Sequence, residues 1–313
     1  MVLFLLSKEN VSMARAEAEA IFGKGTLDEN VLSINTSKNS DRLSYTRMIL
    51  DAIFDCKSNE VEQKIKKTNW NKLIKGSFSL TYHKFDKEIS HSLSRKYGGM
   101  IYDLLKNPKV NLEKPKTKLI AIERNNKVYF GILKWENKEE FYARRPDKRP
   151  EQMPITVLPK FARACVNLTG SKKKVYDPFC GVGGFLIEAG LMKLKAVGSD
   201  IDENMLRMSK KNLEYYKIKN FKLFKQDALK INKMYDYIVT DPPYGKASKA
   251  IGVDLYGRFL IKLKKILGKR AVVVFPNFIN AEKLIKKSKL KIVGKYSIYI
   301  HKSLTRNVYV LTK

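Results

Sequence analysis

The sequence predicts an α/β fold in the C-terminal half of the chain, built on an open parallel sheet, and an α+β region before it. Two observations predict the sheet. Strand-like runs lead to Asp177, Asp200, Asp227 and Asp241, and most intervals between these residues can hold one strand and one crossover. Ligands bind beyond the carboxyl ends of the strands in such a sheet, so we expect the four carboxylates at the ligand-binding edge.

The N-terminal half alternates strands and helices. Its predicted elements are a strand at the start of the chain, a helix over 10–22, a strand before residue 38, a strand over 48–54, a helix from 58 to about 70, a strand over 77–82, a helix over 87–105 and a hairpin at Asn125–Asn126. No compact cluster of acid, base or nucleophile appears in this half. The pattern therefore gives no indication of catalysis there.

A basic segment separates the two halves. The run Arg144-Arg145-Pro146-Asp147-Lys148-Arg149-Pro150 has two prolines, which stiffen the backbone, and four basic side chains, which can contact phosphates. Phosphate contact and a solvated linker are equally compatible with this composition. The predicted domains are residues 1–143, a basic linker over 144–156, and residues 157–313.

The chain is strongly basic. Its 313 residues include 62 lysines and arginines against 31 aspartates and glutamates, a formal charge of +31. A field of this size favours a polyanion such as a nucleic acid and gives salt-sensitive association. A lysine-rich proteome or a heat-adapted surface is the alternative. The lysines are dispersed, which argues against membrane attachment.

Cysteine and histidine are scarce, with three of each. Neither type has metal-ligand spacing, and an odd number of cysteines fits no complete disulfide framework. No apolar run approaches the roughly 18 residues of a membrane span. We therefore expect no metal, no membrane segment, a cytoplasmic location and a monomer.

The segment Asp241-Pro242-Pro243-Tyr244 follows a strand-like run directly. Successive prolines fix φ and remove two backbone donors, so their carbonyls remain free as acceptors. A carboxylate, free carbonyls and a stacking ring together suit a flat base that bears an amino group. A simple tight turn is the alternative interpretation of these four residues alone.

The other three carboxylates suit the remaining parts of a nucleoside ligand. Asp177 opens a glycine loop, Gly181–Gly184, where positive φ and close backbone approach are allowed. An acidic residue there repels pyrophosphate and favours an amine-bearing group. Asp200 is placed to accept ribose hydroxyls, and Asp227 is placed to accept an adenine amino hydrogen.

These motifs resemble those of S-adenosylmethionine-dependent amino-methyltransferases. The order Asp-Pro-Phe-Cys-Gly-x-Gly-Gly, Gly-Ser-Asp-Ile-Asp, Gln-Asp-Ala-Leu and Thr-Asp-Pro-Pro-Tyr-Gly carries the resemblance. More narrowly, the chain resembles archaeal tRNA guanine-N2 methyltransferases that act at position 10. The narrower resemblance depends on the stretches 144–150, 159–168 and 301–306. It extends from about Arg144 to the C-terminus.

The resemblance implies a Rossmann-like methyltransferase sheet, and the N-terminal half resembles a THUMP RNA-binding module with a small domain before it. It also implies S-adenosyl-L-methionine as cofactor and tRNA as partner. The residues expected to bind the cofactor are Asp177, Phe179, Gly181, Gly183, Asp200, Ile201, Asp227 and Ala228. The residues expected to bind RNA are Arg144, Arg145, Lys148, Arg149, Lys246 and Arg306.

Four residues are expected to act on the target guanine: Asp241, Pro242, Pro243 and Tyr244. The ring of Tyr244 would stack on the extruded base, while Asp241 and the Pro242 carbonyl would accept its amine hydrogens. Two rival functions remain open at this stage. They are an amino-methyltransferase that acts on another RNA position or on DNA adenine or cytosine, and a non-catalytic RNA-binding protein that kept the fold. The sequence does not decide between one and two added methyl groups.

Overall fold

The chain divides into two compact units. The computed structural model describes residues 1–36, 38, 41–84, 88–153, 156–244 and 249–313, with the backbone alone for 249–253. The first unit comprises Met1–Val11, Phe22–Asp41 and Thr46–Lys138. The second unit comprises Ser12–Ile21, Arg42–Tyr45 and Glu139–Lys313.

A seven-stranded sheet forms the first unit within the described residues, in the order β2-β3-β1-β4-β7-β6-β5. The strands are β1 (Val2–Leu6), β2 (Thr26–Asp28), β3 (Val31–Ile34), β4 (Thr46–Lys57), β5 (Phe78–His83), β6 (Thr117–Arg124) and β7 (Lys127–Glu136). Only β5 and β6 pair in parallel among them. The helices of this part of the chain are α1 (Val11–Phe22), α2 (Val61–Lys67), α3 (Trp70–Leu73) and α4 (His91–Asp103). The hairpin predicted at Asn125–Asn126 joins β6 to β7.

Two predicted helices have different bounds in the structure. The helix expected from 58 to 70 is divided into a 3₁₀ turn (Ser58–Glu60), α2 and α3, because Thr68 has an extended backbone with φ −87° and ψ 133°. The helix expected over 87–105 begins only at His91, since the hydroxyl of Ser90 accepts the N–H of Leu93 and caps its first turn.

The second unit contains a mixed sheet of the doubly wound type. Its elements in chain order are α5 (Pro159–Leu168), β8 (Lys174–Asp177), α6 (Gly184–Leu191), β9 (Lys195–Asp200), α7 (Glu203–Tyr215), β10 (Phe221–Lys225), β11 (Tyr235–Thr240), α8 (Lys249–Ile266), β12 (Leu267–Pro276), α9 (Ala281–Ser288), β13 (Lys291–His301) and β14 (Leu304–Thr312). The strand order is β10-β9-β8-β11-β12-β14-β13. The first five strands are parallel, and β14 is antiparallel to both neighbours.

The strand order reverses between β8 and β11, which makes this position the topological switch point. The sheet core is strongly apolar beside it. Helix α8 buries Tyr256, Phe259, Leu260 and Leu263 at helical spacing, and they belong to the same core cluster as Ile238 of β11. The carboxyl ends of β8, β9, β10 and β11 therefore meet at one rigid edge.

The division of the chain differs from the predicted domain boundaries. The expected linker, 144–156, lies within the second unit, and so does the middle of α1. The ion pair of 2.9 Å between Arg144 and the buried Glu188 of α6 ties the linker to this unit, and buried hydrogen bonds tie α1 to it. Glu17 of α1 accepts a hydrogen bond of 2.7 Å from the Asn167 amide of α5, and it also accepts the N–H groups of Ser44 and Tyr45. None of these partners is identifiable from local sequence.

Candidate active site

Five aspartates line one cavity of about 460 Å³ at the carboxyl edge of the second sheet. Four of them are the residues that the strand-end pattern singled out, Asp177, Asp200, Asp227 and Asp241, and the fifth is Asp202. Other expected site residues lie in the same wall, including Phe179, Gly181, Ile201, Ala228, Pro242, Pro243 and Tyr244. The parallel strands thus bring together residues that are far apart in the sequence.

Asp177 is the most deeply buried of the four, with 1% of its surface exposed. One of its oxygens, Oδ1, accepts the Thr240 hydroxyl at 2.7 Å and the Phe179 N–H at 3.1 Å. Burial raises the pKa of Asp177 to about 7, and these two hydrogen bonds oppose the rise. A positively charged amine in the cavity would stabilise the ionised form.

The glycine loop allows a ligand to approach the backbone. Gly181 and Gly183 have φ of +48° and +88°, a region that favours glycine. A Cβ on Gly181 would meet no atom within 4 Å, so the absence of a side chain leaves open space beside the loop. Gly183 is different, since a Cβ there would lie 2.6 Å from the Ser209 hydroxyl. Gly183 is not among the cavity-lining residues, so its role is to shape the loop.

Asp200 and Asp227 are oriented by backbone donors. Asp200 accepts the Gly181 N–H at 2.9 Å and the Asp202 N–H at 3.1 Å, one on each oxygen. Asp227 accepts the Leu229 N–H at 2.8 Å. Each carboxylate oxygen retains lone pairs for further donors such as ribose hydroxyls or an amino group.

Asp177, Asp200 and Asp227 share one local hydrogen-bond pattern, in which the carboxylate accepts the N–H of the residue two positions later. Asp241 cannot use it, since the residue two positions later is Pro243, which has no N–H. Its Oδ1 is buried without a hydrogen-bond partner among the described residues. An unsatisfied buried acceptor is costly, and its position in the cavity wall marks a place for a donor from a ligand.

The second oxygen of Asp241 is occupied. Its Oδ2 accepts the Tyr244 hydroxyl at 3.1 Å and lies 3.6 Å from Nε of Arg306. Burial raises the pKa of Asp241 to about 7, while the charge of Arg306 and the hydrogen bond from Tyr244 act in the opposite direction. The carboxyl group can therefore exist in both protonation states near neutral pH.

The proline corner is fixed from the core. The Tyr256 hydroxyl of α8 donates to the Pro242 carbonyl at 2.8 Å, which leaves that oxygen one lone pair. The ring of Tyr244 meets that of Phe278 edge-on, with centroids 6.3 Å apart. Sequence analysis missed Thr240, Tyr256 and Gln226, which contact these groups or line the cavity. Thr240 and Gln226 directly precede site aspartates, and this position could have identified them from the sequence. Tyr256 has the pattern of a core residue, so the sequence gives no such indication.

The expected RNA-binding residues divide into two groups. Arg145 and Lys148 have about half of their side-chain surface exposed, at 48% and 50%. Arg144 and Arg149 are mostly buried, and Arg306 is 3% exposed. Lys246 lies outside the described residues.

The buried arginines have contacts inside the second unit and little exposed surface, so they are poorly placed to contact phosphate. Arg144 pairs with Glu188 at 2.9 Å, and Arg163 pairs with the same fully buried glutamate at 2.8 Å. Nε of Arg149 donates to the Arg144 carbonyl at 3.0 Å. Buried glutamate needs such cations, because desolvation of an unpaired carboxylate is costly.

Comparisons with known proteins agree with this geometry. Residues 146–306 match the family described as RMKL-like, methyltransferase domain. The tRNA (guanine(10)-N2)-dimethyltransferase of Methanothermobacter thermautotrophicus is 32% identical across 100% of this chain and 99% of its own length. The enzyme of the same name from Pyrococcus abyssi is 36% identical across 79% and 77%. The crystal structure of TrmN from Thermus thermophilus superposes with a TM-score of 0.52 at 18% identity, covering 100% and 99% of the two chains.

The fold and the acidic cavity at its switch point define a methyltransferase with a Rossmann-like catalytic sheet. The family match assigns the same class to more than half of the chain. Full-length similarity then shows that the chain belongs to the tRNA (guanine(10)-N2)-dimethyltransferase family. The predicted family, fold class and enzyme class are thereby confirmed.

Within the described part of the chain, no helix is long and apolar enough to cross a membrane. No group of three or more histidine, cysteine, aspartate or glutamate side chains in the same residues is arranged to hold a metal ion.

Proposed function

We propose that this protein transfers a methyl group from S-adenosyl-L-methionine to the exocyclic 2-amino group of guanosine 10 in tRNA. The observation that carries the proposal is Oδ1 of Asp241, which has no donor among the described residues and lies beside a proline corner in a cavity that four other aspartates line. An amino group with two hydrogens is the complement of such acceptors. The name that both relatives carry, tRNA (guanine(10)-N2)-dimethyltransferase, supports guanosine 10 as the target.

The cavity fits the proposed cofactor. Asp177 would hold the α-amine, since a cation restores the ionised form of a carboxyl group whose pKa burial has raised to about 7. Asp200 would hold the ribose hydroxyls, and Asp227 would accept the adenine amino group between Ile201 and Ala228. The open backbone at Gly181 and the ring of Phe179 would complete the wall. When bound, the cofactor supplies a methyl group on a positively charged sulfur.

Asp241 and Pro242 would position the target nitrogen. The guanine must first leave its stack, at a cost of a few kcal/mol. Oδ1 of Asp241 and the remaining lone pair of the Pro242 carbonyl would each accept one amine hydrogen. Both acceptors are held by other groups, so the nitrogen would be aligned without further movement of the protein. Alignment of this kind can supply most of the rate acceleration.

Asp241 would also take the proton that the nitrogen loses when it gains a methyl group. A general base works best when its pKa is near the working pH, and burial places that of Asp241 at about 7. Tyr244 would cover the face of the base. Pro243 would keep Oδ1 free by lacking an N–H.

The first unit is proposed as the THUMP-like RNA-binding region, with Arg145 and Lys148 as exposed phosphate contacts in the second. The high positive charge of the chain supports both assignments. We propose residues 1–143, 144–156 and 157–313 as the functional divisions. A cytoplasmic location and a monomeric state remain predictions of the same proposal.

The test is to incubate the purified protein with radiolabelled S-adenosyl-L-methionine and a transcribed tRNA that has guanosine at position 10. The matched control is the same tRNA with adenosine at that position. Labelled N2-methylguanosine or N2,N2-dimethylguanosine from the first tRNA alone supports the proposal, and their ratio gives the number of methyl groups. Label in methyladenine or methylcytosine, from RNA or DNA, would contradict it. Binding of tRNA without any label would favour a non-catalytic RNA-binding protein.

A further inference from the structure

Arg306 lies in β14 at the edge of the candidate active site. Register pairs it with Pro276, the last residue of β12, so it lies near the carboxyl end of the parallel strands. Only 3% of its surface is exposed. Its Nε is 3.0 Å from the Tyr244 hydroxyl and 3.6 Å from Oδ2 of Asp241, and its guanidinium faces the Phe161 ring at 5.9 Å.

The direction of this hydrogen-bond chain is fixed by chemistry. A guanidinium group has donors and no acceptor, so the Tyr244 oxygen must accept from Arg306. The single hydroxyl hydrogen of Tyr244 is then directed to Oδ2 of Asp241. Oδ2 consequently has a donor from the protein, and Oδ1 is the oxygen without one among the described residues, available to an incoming amine.

We propose that Arg306 is a positioning residue for methyl transfer, which acts through Tyr244 to hold Asp241 with Oδ1 free and ionised. This inference rests on the proposed function, because it assigns Asp241 the task of accepting amine hydrogens. It replaces the expected contact of Arg306 with RNA phosphate, for which a side chain 3% exposed is poorly placed.

The charges around Asp241 make Arg306 decisive. The groups that act on it come from its own loop (Tyr244), α5 (Cys165), β8 (Asp177), α8 (Tyr256) and β14 (Arg306). Burial raises the pKa of the cysteine and of both tyrosines, so they remain neutral near pH 7. Asp177 is acidic and opposes ionisation of Asp241. Among the described residues of this set, Arg306 supplies the only positive charge, and it favours the carboxylate together with the hydrogen bond from Tyr244.

Loss of the Arg306 charge should therefore move the acidic limb of the pH–rate profile. Transfer requires ionised Asp241, so the rate rises as pH passes through its pKa. An opposite charge at this separation lowers a carboxyl pKa by about 1–3 units. Arg306→Gln should shift the acidic limb to higher pH by that amount, with partial recovery of the rate in alkaline buffer.

Two further variants separate charge from geometry. Arg306→Lys keeps the charge but replaces the planar donor fork with a single flexible ammonium group. This variant should leave the acidic limb of the pH–rate profile near its original pH and lower the maximal rate at high pH. Tyr244→Phe keeps both the ring and Arg306 but removes the donor to Oδ2, so its limb should move upward by a smaller amount than in Arg306→Gln.

The experiment measures single-turnover methyl transfer against pH, together with tRNA affinity, for these variants and for Arg258→Gln. Arg258 is an exposed arginine of α8, with 64% of its side-chain surface accessible, so this control removes the same charge from the surface. Equal tRNA affinity of the two glutamine variants, with a displaced limb only in Arg306→Gln, is the expected result. A unique loss of tRNA affinity, or a rate that falls equally at every pH, would overturn the inference.

A second measurement distinguishes failure of this inference from failure of the proposed function. The Asp241 carboxyl carbon can be titrated by NMR in the free full-length protein, with Asp241→Asn used to assign the signal. Arg306→Gln should raise the observed pKa, whatever the substrate is. No change in that titration would contradict the inference, whereas absence of methyl transfer by the unaltered protein would contradict the proposed function alone.

Discussion

The carboxylates on the two sides of the cavity are held in different ways. Asp177, Asp200 and Asp227, which we assign to the cofactor, each accept the N–H of the residue two positions later. Asp241, which we assign to the target base, is followed by two prolines and depends on Tyr244 and Arg306 instead. Each of the three aspartates on the cofactor side thus has a local backbone donor, whereas Asp241 has only side-chain partners, one of them from β14.

This difference explains why, among the residues that the structure describes, only one of these four carboxylates keeps a buried oxygen without a donor. A backbone N–H at position 243 could reach Asp241 as the corresponding groups reach the other three aspartates. Proline removes that possibility, and Arg306 offsets part of the cost of burying the remaining charge. Oδ1 of Asp241 therefore lies where the amine of the substrate can supply the missing donor.

The largest expected effect is that of Asp241→Asn. The change removes a base and an acceptor, so methyl transfer should fall by about 10²–10⁴-fold or more. Affinity for S-adenosyl-L-methionine, measured by calorimetry, should change little, because the assigned cofactor contacts lie elsewhere. Near-normal transfer would contradict the role of Asp241.

The same variant has a distinctive effect on stability. Burial raises the pKa of Asp241 above its unfolded value, so the protonated folded form is favoured, and stability is lost as pH rises through about 7. Asparagine cannot ionise, so Asp241→Asn should be more stable than the unaltered protein above neutral pH. Thermal unfolding measured at several pH values tests this, and it also shows that lost activity is not lost folding.

A smaller effect is expected for Asp200→Ala on the cofactor side. Hydrogen bonds to a charged group contribute about 1.5–3 kcal/mol, so the Kd for S-adenosyl-L-methionine should rise by about 10- to 150-fold. Glu203→Gln is the matched control, since Glu203 is an exposed acid near Asp200 that does not line the cavity. Equal affinities of the two variants in calorimetry would show that Asp200 does not bind the cofactor.

The smallest expected effect is also the sharpest test of the comparison. Pro243→Ala restores an N–H two positions after Asp241, at an exposed site where the lost ring is tolerated. That N–H would compete with the target amine for Asp241, and a net hydrogen bond of about 0.5–1.5 kcal/mol corresponds to a rate reduction of about 2- to 10-fold. The pKa of Asp241 should fall in the same variant. An unchanged rate and an unchanged titration would show that Pro243 has no such role.

Much of this arrangement was predictable from sequence because it is local. The strand-end aspartates, the glycine loop and the double proline each lie in a short run whose geometry follows from residue type. Family motifs then indicated the reaction. The topology of a parallel sheet then brings these residues together, because successive strand ends lie at one edge.

The errors have an equally physical cause. Arg144 and Arg149 have the composition of a phosphate-binding linker, but Arg144 pairs with Glu188, 44 residues later, and Arg149 is buried with its Nε on the Arg144 carbonyl. Tyr256 is indistinguishable from its apolar neighbours on α8 until the structure shows its hydroxyl at the Pro242 carbonyl. Charge and periodicity can be read from the local sequence, whereas the burial and the hydrogen-bond partners of a residue depend on distant parts of the chain.

The most direct test is a crystal structure of the protein with tRNA and S-adenosylhomocysteine, the demethylated product of the proposed cofactor. The account predicts that the 2-amino nitrogen of guanosine 10 lies within hydrogen-bond distance of Oδ1 of Asp241, with Arg306 and Tyr244 still on Oδ2. A complex in which Oδ1 contacts a protein side chain, and the guanine amine lies elsewhere, would contradict it.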